Sequence, residues 1–118
     1  EVAILWSSLY YYSTFNEGGF KMSKQIGIIY SPGYGAGWST WGDSAQALDQ
    51  ELANAIQDNE SYEVIEQIAK RNWPNAYLGG LSDCIVEWVD EGIQFIVDEY
   101  DGSESITFQE GHQWQVAQ

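Results

Sequence analysis

The hydrophobic period of this chain changes twice, and that restricts what it can fold into. Lys24 to Tyr30 (KQIGIIY) is a short β-branched run closed by Ser31-Pro32-Gly33, the pattern of a buried strand. A glycine-rich loop, SPGYGAGWSTWGDS, follows. Beyond it, Leu48, Leu52 and Ile56, flanked by Ala45 and Ala55, recur on one face at helical spacing, with Asp43 or Ser44 placed to cap. A second, shorter helix opens at Asn59 or Ser61 and carries Val64, Ile65 and Ile68. Lys70 and Arg71 fall in its last turn, where the helix dipole favours cations, and Trp73-Pro74 ends it.

From Tyr77 the period becomes two. In CIVEWV, Ile85, Glu87 and Val89 alternate with Val86 and Trp88. Asp90-Glu91-Gly92 reads as a turn that returns IQFIVDEY as the partner strand, and Asp101-Gly102 turns again into Ser105 to Phe108. Strand, helix, helix and strand meander predict an α+β fold: a small antiparallel or mixed sheet with two helices packed on one face. Residues 22–108 form this single domain, and 109–118 read as a polar C-terminal tail.

Residues 1–21 differ from the rest. Val2 to Phe15 carries no charge, lacks the marks of a secretory signal and is too hydroxyl-rich to span a bilayer. Glu17-Gly18-Gly19 can be encoded by a purine run like a ribosome-binding site, a short spacer before Met22, the chain's single methionine. The segment therefore reads as a translated leader, or as an extra N-terminal strand given its Tyr, Thr and Phe content.

With 118 residues the core is thin, and aromatic bulk (6 Trp, 8 Tyr) or self-association into a homo-oligomer would compensate. Cys84 is the single cysteine, so no internal disulfide forms, and a Cys/His metal array is excluded with His112 the single histidine. The net charge of −14 opposes direct nucleic-acid binding. It suits solubility or, alternatively, imitation of nucleic acid toward a basic protein.

The loop lies where phosphate cradles occur, between a strand and a helix. It lacks the Gly-Lys-Ser/Thr of a Walker loop and the G-x-G-x-x-G spacing, so a tight structural turn is the plainer reading. Nearby rings that could stack on a base favour the ligand reading. The candidate ligand residues are Gly33, Tyr34, Gly35, Gly37, Trp38, Ser39, Thr40 and Trp41. Asp98, Glu99, Asp101 and Glu104 form the alternative, an acidic surface. Counting back from Gly102 puts Val97 and Phe108 at the ligand positions of a calcium loop, which excludes one. Ser31, Ser39, Thr40 and Cys84 lack a well-placed imidazole, so no catalytic residue, metal or cofactor is expected.

The run IGIIYSPGYGAGW and the closing EYDGSE (Glu99 to Glu104) resemble small uncharacterised bacteriophage proteins with a Tyr-Gly-rich loop after the first strand and a terminal EYDGxE segment. The resemblance covers most of the chain after Met22. It implies a phage-encoded, non-enzymatic binder acting against host defence in the infected cell's cytoplasm, with no membrane partner. The first expectation is sequestration of a small nucleotide-type signal by the loop and its aromatics. The alternatives are an acidic inhibitor of a basic host protein and a small enzyme using the same pocket.

Overall fold

The computed structural model describes the backbone of residues 2–6, 9–16 and 19–109, and the side chains of residues 24–109. His112 and Trp114 lie outside the described residues. The fold is α+β. Strands β1 (Val2–Trp6), β2 (Leu9–Asn16), β3 (Gly19–Tyr30) and β4 (Ile85–Asp90) make one antiparallel sheet in that order. Strands β5 (Phe95–Tyr100) and β6 (Ser103–Phe108) make a separate two-stranded sheet. Helices α1 (Gln50–Gln57) and α2 (Tyr62–Asn72) connect β3 to β4.

β3 is divided along its length. Gly19 to Gln25 pair with β2, whereas Gln25 to Tyr30 pair with β4, so Gln25 alone takes part in both ladders. Beyond β2, the backbone of Gly27 would be left open on one edge. The Gln50 amide closes it: its Oε1 accepts the Gly27 N–H at 2.9 Å and its Nε2 donates to the Gly27 carbonyl at 2.9 Å. α1 crosses so near that a Cβ on Gly27 would lie 2.9 Å from the Ala53 Cβ. Glycine is required there by proximity, not by its dihedrals.

Ile29, Trp38, Leu52, Ala53, Ala69 and Leu81 form the core between the helices and one face of β3–β4, joined by Val86 and Trp88 from β4. The alternation expected of CIVEWV holds, because Val86 and Trp88 turn inward while Ile85 and Glu87 are exposed. α2 begins at the Ser61 cap, whose hydroxyl accepts the Val64 N–H, and ends at Trp73.

Two expectations need correction. The first helical stretch is not continuous from residue 45: Ser44–Leu48 is a 3-10 turn capped by Asp43, and α1 starts only after Asp49. Asp49 is extended (ψ 98°), and its Oδ1 accepts the Leu52 N–H at 3.1 Å. Local capping by a short acidic side chain thus outcompetes helix continuation. Secondly, β5 does not return against β4. β4 finds its partner in β3, and β5 pairs with β6 through the Asp101-Gly102 turn, whose φ values of 51° and 83° suit Asp-Gly. The helical crossover leaves β3 available to β4, and this longer-range pairing was invisible to hairpin logic.

β1 and β2 meet the body chiefly along the first half of β3. A chain beginning at Met22 is therefore expected to keep the cooperative thermal melt of the body. Destabilisation beyond about 2 kcal/mol, the scale of a severe point substitution, would show that the body needs the segment before Met22.

Candidate functional site

The glycine loop is organised by a carboxylate. Glu104, at the start of β6, is 2 % exposed. Its Oε1 accepts the Ser31 N–H at 2.9 Å. Its Oε2 accepts the Trp38 N–H at 2.8 Å, the Thr40 N–H at 3.1 Å and the Thr40 hydroxyl at 2.5 Å. In return the Glu104 N–H donates to the Ser31 carbonyl at 2.7 Å. The Gly35 N–H donates to the Asp101 carbonyl at 2.8 Å, and Ser103 Oγ donates to the Pro32 carbonyl at 2.7 Å. Glu99 accepts the Gly102 N–H at 2.7 Å and the Trp41 indole N–H at 3.3 Å. A Cβ on Gly102, whose φ is +83°, would sit 2.3 Å from the Ala36 nitrogen, so the loop and the hairpin turn touch backbone to backbone. The two motifs that stand apart in sequence are thus one packed unit.

This arrangement sorts the candidate residues. Gly37, Trp38 and Ser39 are buried, while Tyr34 and Gly35 are exposed and Gly33 is half-buried against Asp83. Trp38 is 0 % exposed and its indole N–H donates to the Gln46 carbonyl at 3.1 Å, so it is a core residue with no free stacking face. Glu104 is likewise no part of an acidic surface; Asp98, Glu99 and Asp101 are exposed. The loop does bind a carboxylate, but the donors are Ser31, Trp38 and Thr40 and not its glycines, and the carboxylate is the protein's own.

The open aromatic surface lies to one side. Trp41 (42 % exposed) and Tyr77 (47 %) form a tilted pair, with ring centroids 5.6 Å apart and planes at 43°. They line a cleft of about 500 Å³ with Gly42, Asp43, Asn72, Trp73 and Asn75. Beneath it, Asp49 Oδ2 accepts the Trp73 indole N–H at 2.9 Å and the Asn72 amide at 3.0 Å. In sequence, Trp73-Pro74 reads only as a helix stop, and the segment on to Tyr77 is not read as a binding edge. Its aromatic and amide content was the available signal for a binding edge, but nothing local announced that Trp41 would face it. A more apolar cavity of about 580 Å³ occupies the open end of β5–β6, lined by Ile93, Phe95, Ile96 and Phe108, with Gln109 at its rim.

The described cationic side chains are all engaged. Lys24 pairs with Glu91 at 3.5 Å, Lys70 with Glu66 at 3.6 Å, and Arg71 with Glu51. The Arg71 hydrogen bond, followed by that of Asn72, holds the Glu51 carboxyl below its ordinary value. Burial, reinforced by Glu104 and Asp83, pushes the Cys84 thiol well above the ordinary range, and its Sγ lies 3.4 Å from the Gly80 carbonyl. Such a thiol packs as a small apolar group and is a poor nucleophile. Among the described residues no group of His, Cys, Asp and Glu is placed to hold a metal ion, and no helix is long and apolar enough to cross a membrane. No family model, curated protein or solved structure matches this chain.

Removing the Glu104 carboxylate orphans several buried donors, each costing roughly 1–3 kcal/mol. Glu104→Ala is therefore expected to destabilise by at least about 3 kcal/mol in urea unfolding, and Trp38→Ala by about 3–5 kcal/mol as a large-to-small core change. Near-neutral results would remove the loop's supposed anchor. Cys84 should resist iodoacetamide at pH 8 in the folded protein and react readily in urea. Because its folded pKa is raised, its stabilising contribution is complete below the unfolded thiol pKa and falls as pH rises above it. Stability unchanged on crossing that value would contradict the burial.

Proposed function

We propose that this chain is a non-enzymatic acidic binding protein that covers the basic surface of a nucleic-acid-binding partner. The observation that carries the reading is the Glu104 carboxylate filling the loop's N–H cradle. With those donors engaged and Lys24, Lys70 and Arg71 in ion pairs, a phosphate-bearing ligand meets little counter-charge. A basic partner meets exposed Glu60, Glu63, Glu87, Asp98 and Asp101 within a net charge of −14. A field of that sign accelerates encounter with a cationic surface and repels nucleic acid itself. The resemblance to small bacteriophage proteins supplies the setting, with inhibition of a host defence protein in the infected bacterial cytoplasm.

A second reading retains the nucleotide-type signal. The Trp41–Tyr77 pair favours it, since a base could stack in the cleft with its phosphates toward solvent. Both readings leave the chain without a catalytic role.

The test is displacement of duplex DNA from basic bacterial DNA-binding proteins. The protein is expected to displace DNA at low salt, to lose potency steeply as salt rises, and to bind no duplex DNA itself. Replacing Glu60, Glu63, Glu87 and Asp98 with their amides should reduce potency without altering the melt. Absence of any salt-sensitive displacement, together with a nucleotide found by mass spectrometry in the purified protein, would reject the acidic-inhibitor reading in favour of the second.

A further inference from the structure

We infer that the cleft lined by Trp41, Tyr77 and Asp43 receives a basic side chain, arginine foremost, of that cationic partner. The inference rests on the acidic-binder reading and adds the site at which the partner is anchored. Both indoles at the cleft are backed by carboxylates: Trp41 donates its N–H to Glu99 at 3.3 Å and Trp73 donates to Asp49 at 2.9 Å. Their N–H donors are therefore spent and offer nothing to an anion. Donation to a carboxylate also enriches the indole π system, which strengthens attraction for a cation over the ring face. Asp43 adds a carboxylate to the lining, with one oxygen accepting the Ala45 N–H at 2.8 Å. Arg71, which donates to the lining residue Asn72, is bound to Glu51.

The shape agrees with the charge. Trp41 and Tyr77, with centroids 5.6 Å apart, touch each other and form one aromatic wall, and a planar guanidinium can stack on its cleft-facing side while its edge N–H groups reach a carboxylate. A volume of about 500 Å³ leaves room for the backbone that carries the side chain. Tryptophan, tyrosine and arginine are also the residue types that dominate anchoring contacts at protein interfaces.

The probe is nona-arginine, with nona-citrulline and AMP as comparison ligands, followed by calorimetry and by the Trp41 and Trp73 indole N–H resonances. Nona-arginine is expected to shift both resonances and citrulline to leave them in place. Tyr77→Ala should weaken nona-arginine binding by about two- to thirtyfold, the span of a cation–π contact. Asp43→Asn should also weaken it. Asparagine caps the 3-10 turn as aspartate does, so this variant keeps the test valid if Tyr77→Ala is misfolded. If nona-arginine binds but Asp43→Asn and a folded Tyr77→Ala bind it equally well, the cleft assignment fails while the acidic-binder reading survives. If AMP moves the indole resonances and nona-arginine does not bind, both fail.

Discussion

A single buried carboxylate holds together the parts of this fold that local sequence cannot join. Burying an ionised Glu costs several kcal/mol unless its lone pairs are filled, and Glu104 fills them with three backbone N–H groups and a hydroxyl. Ser31 and Glu104 exchange two hydrogen bonds, tying the end of β3 to the start of β6. An isolated two-stranded hairpin is marginal in water, so β5–β6 depends on this attachment. The loop is held by it as well, together with the Gly35–Asp101, Ser103–Pro32 and Trp38–Gln46 hydrogen bonds.

That arrangement changes what the loop can do. Glycines, a preceding strand and a following helical turn are the ingredients of an anion site, and here the N–H groups of Ser31, Trp38 and Thr40 surround a carboxylate. That carboxylate is intramolecular, which converts a possible ligand cradle into a structural joint. The joint also sets the position of Trp41, because Glu99, beside the Asp101-Gly102 turn, accepts its indole N–H. The exposed aromatic surface is instead the cleft that Trp41 shares with Tyr77.

Electrostatics point the same way. Each described cationic side chain is neutralised by a neighbouring carboxylate, so the remaining acidic field is not locally balanced. Self-repulsion of that kind reduces stability and is tolerated where it serves solubility or encounter with a cation. Surface pairs such as Lys70–Glu66 contribute little by themselves. Their relevance is that they leave few positive groups to receive a phosphate.

Local patterns determined most of the elements from the second half of β3 onward, though not the break between the 3-10 turn and α1. The β-branched run made the second half of β3, the 3.6 spacing with Ser61 as cap made α2, alternation up to Trp88 oriented β4, and Asp101-Gly102 made the β5–β6 turn. These were legible because each depends on neighbours within a few residues. What tertiary structure decided were the relations across long separations: β4 choosing β3, Asp49 meeting the Trp73 indole, Trp38 entering the core and Glu104 leaving the surface. Sequence assigns a glutamate to solvent because its charge is costly to bury. Only the folded chain could bring Ser31, Trp38 and Thr40 around that charge and make burial the stable state.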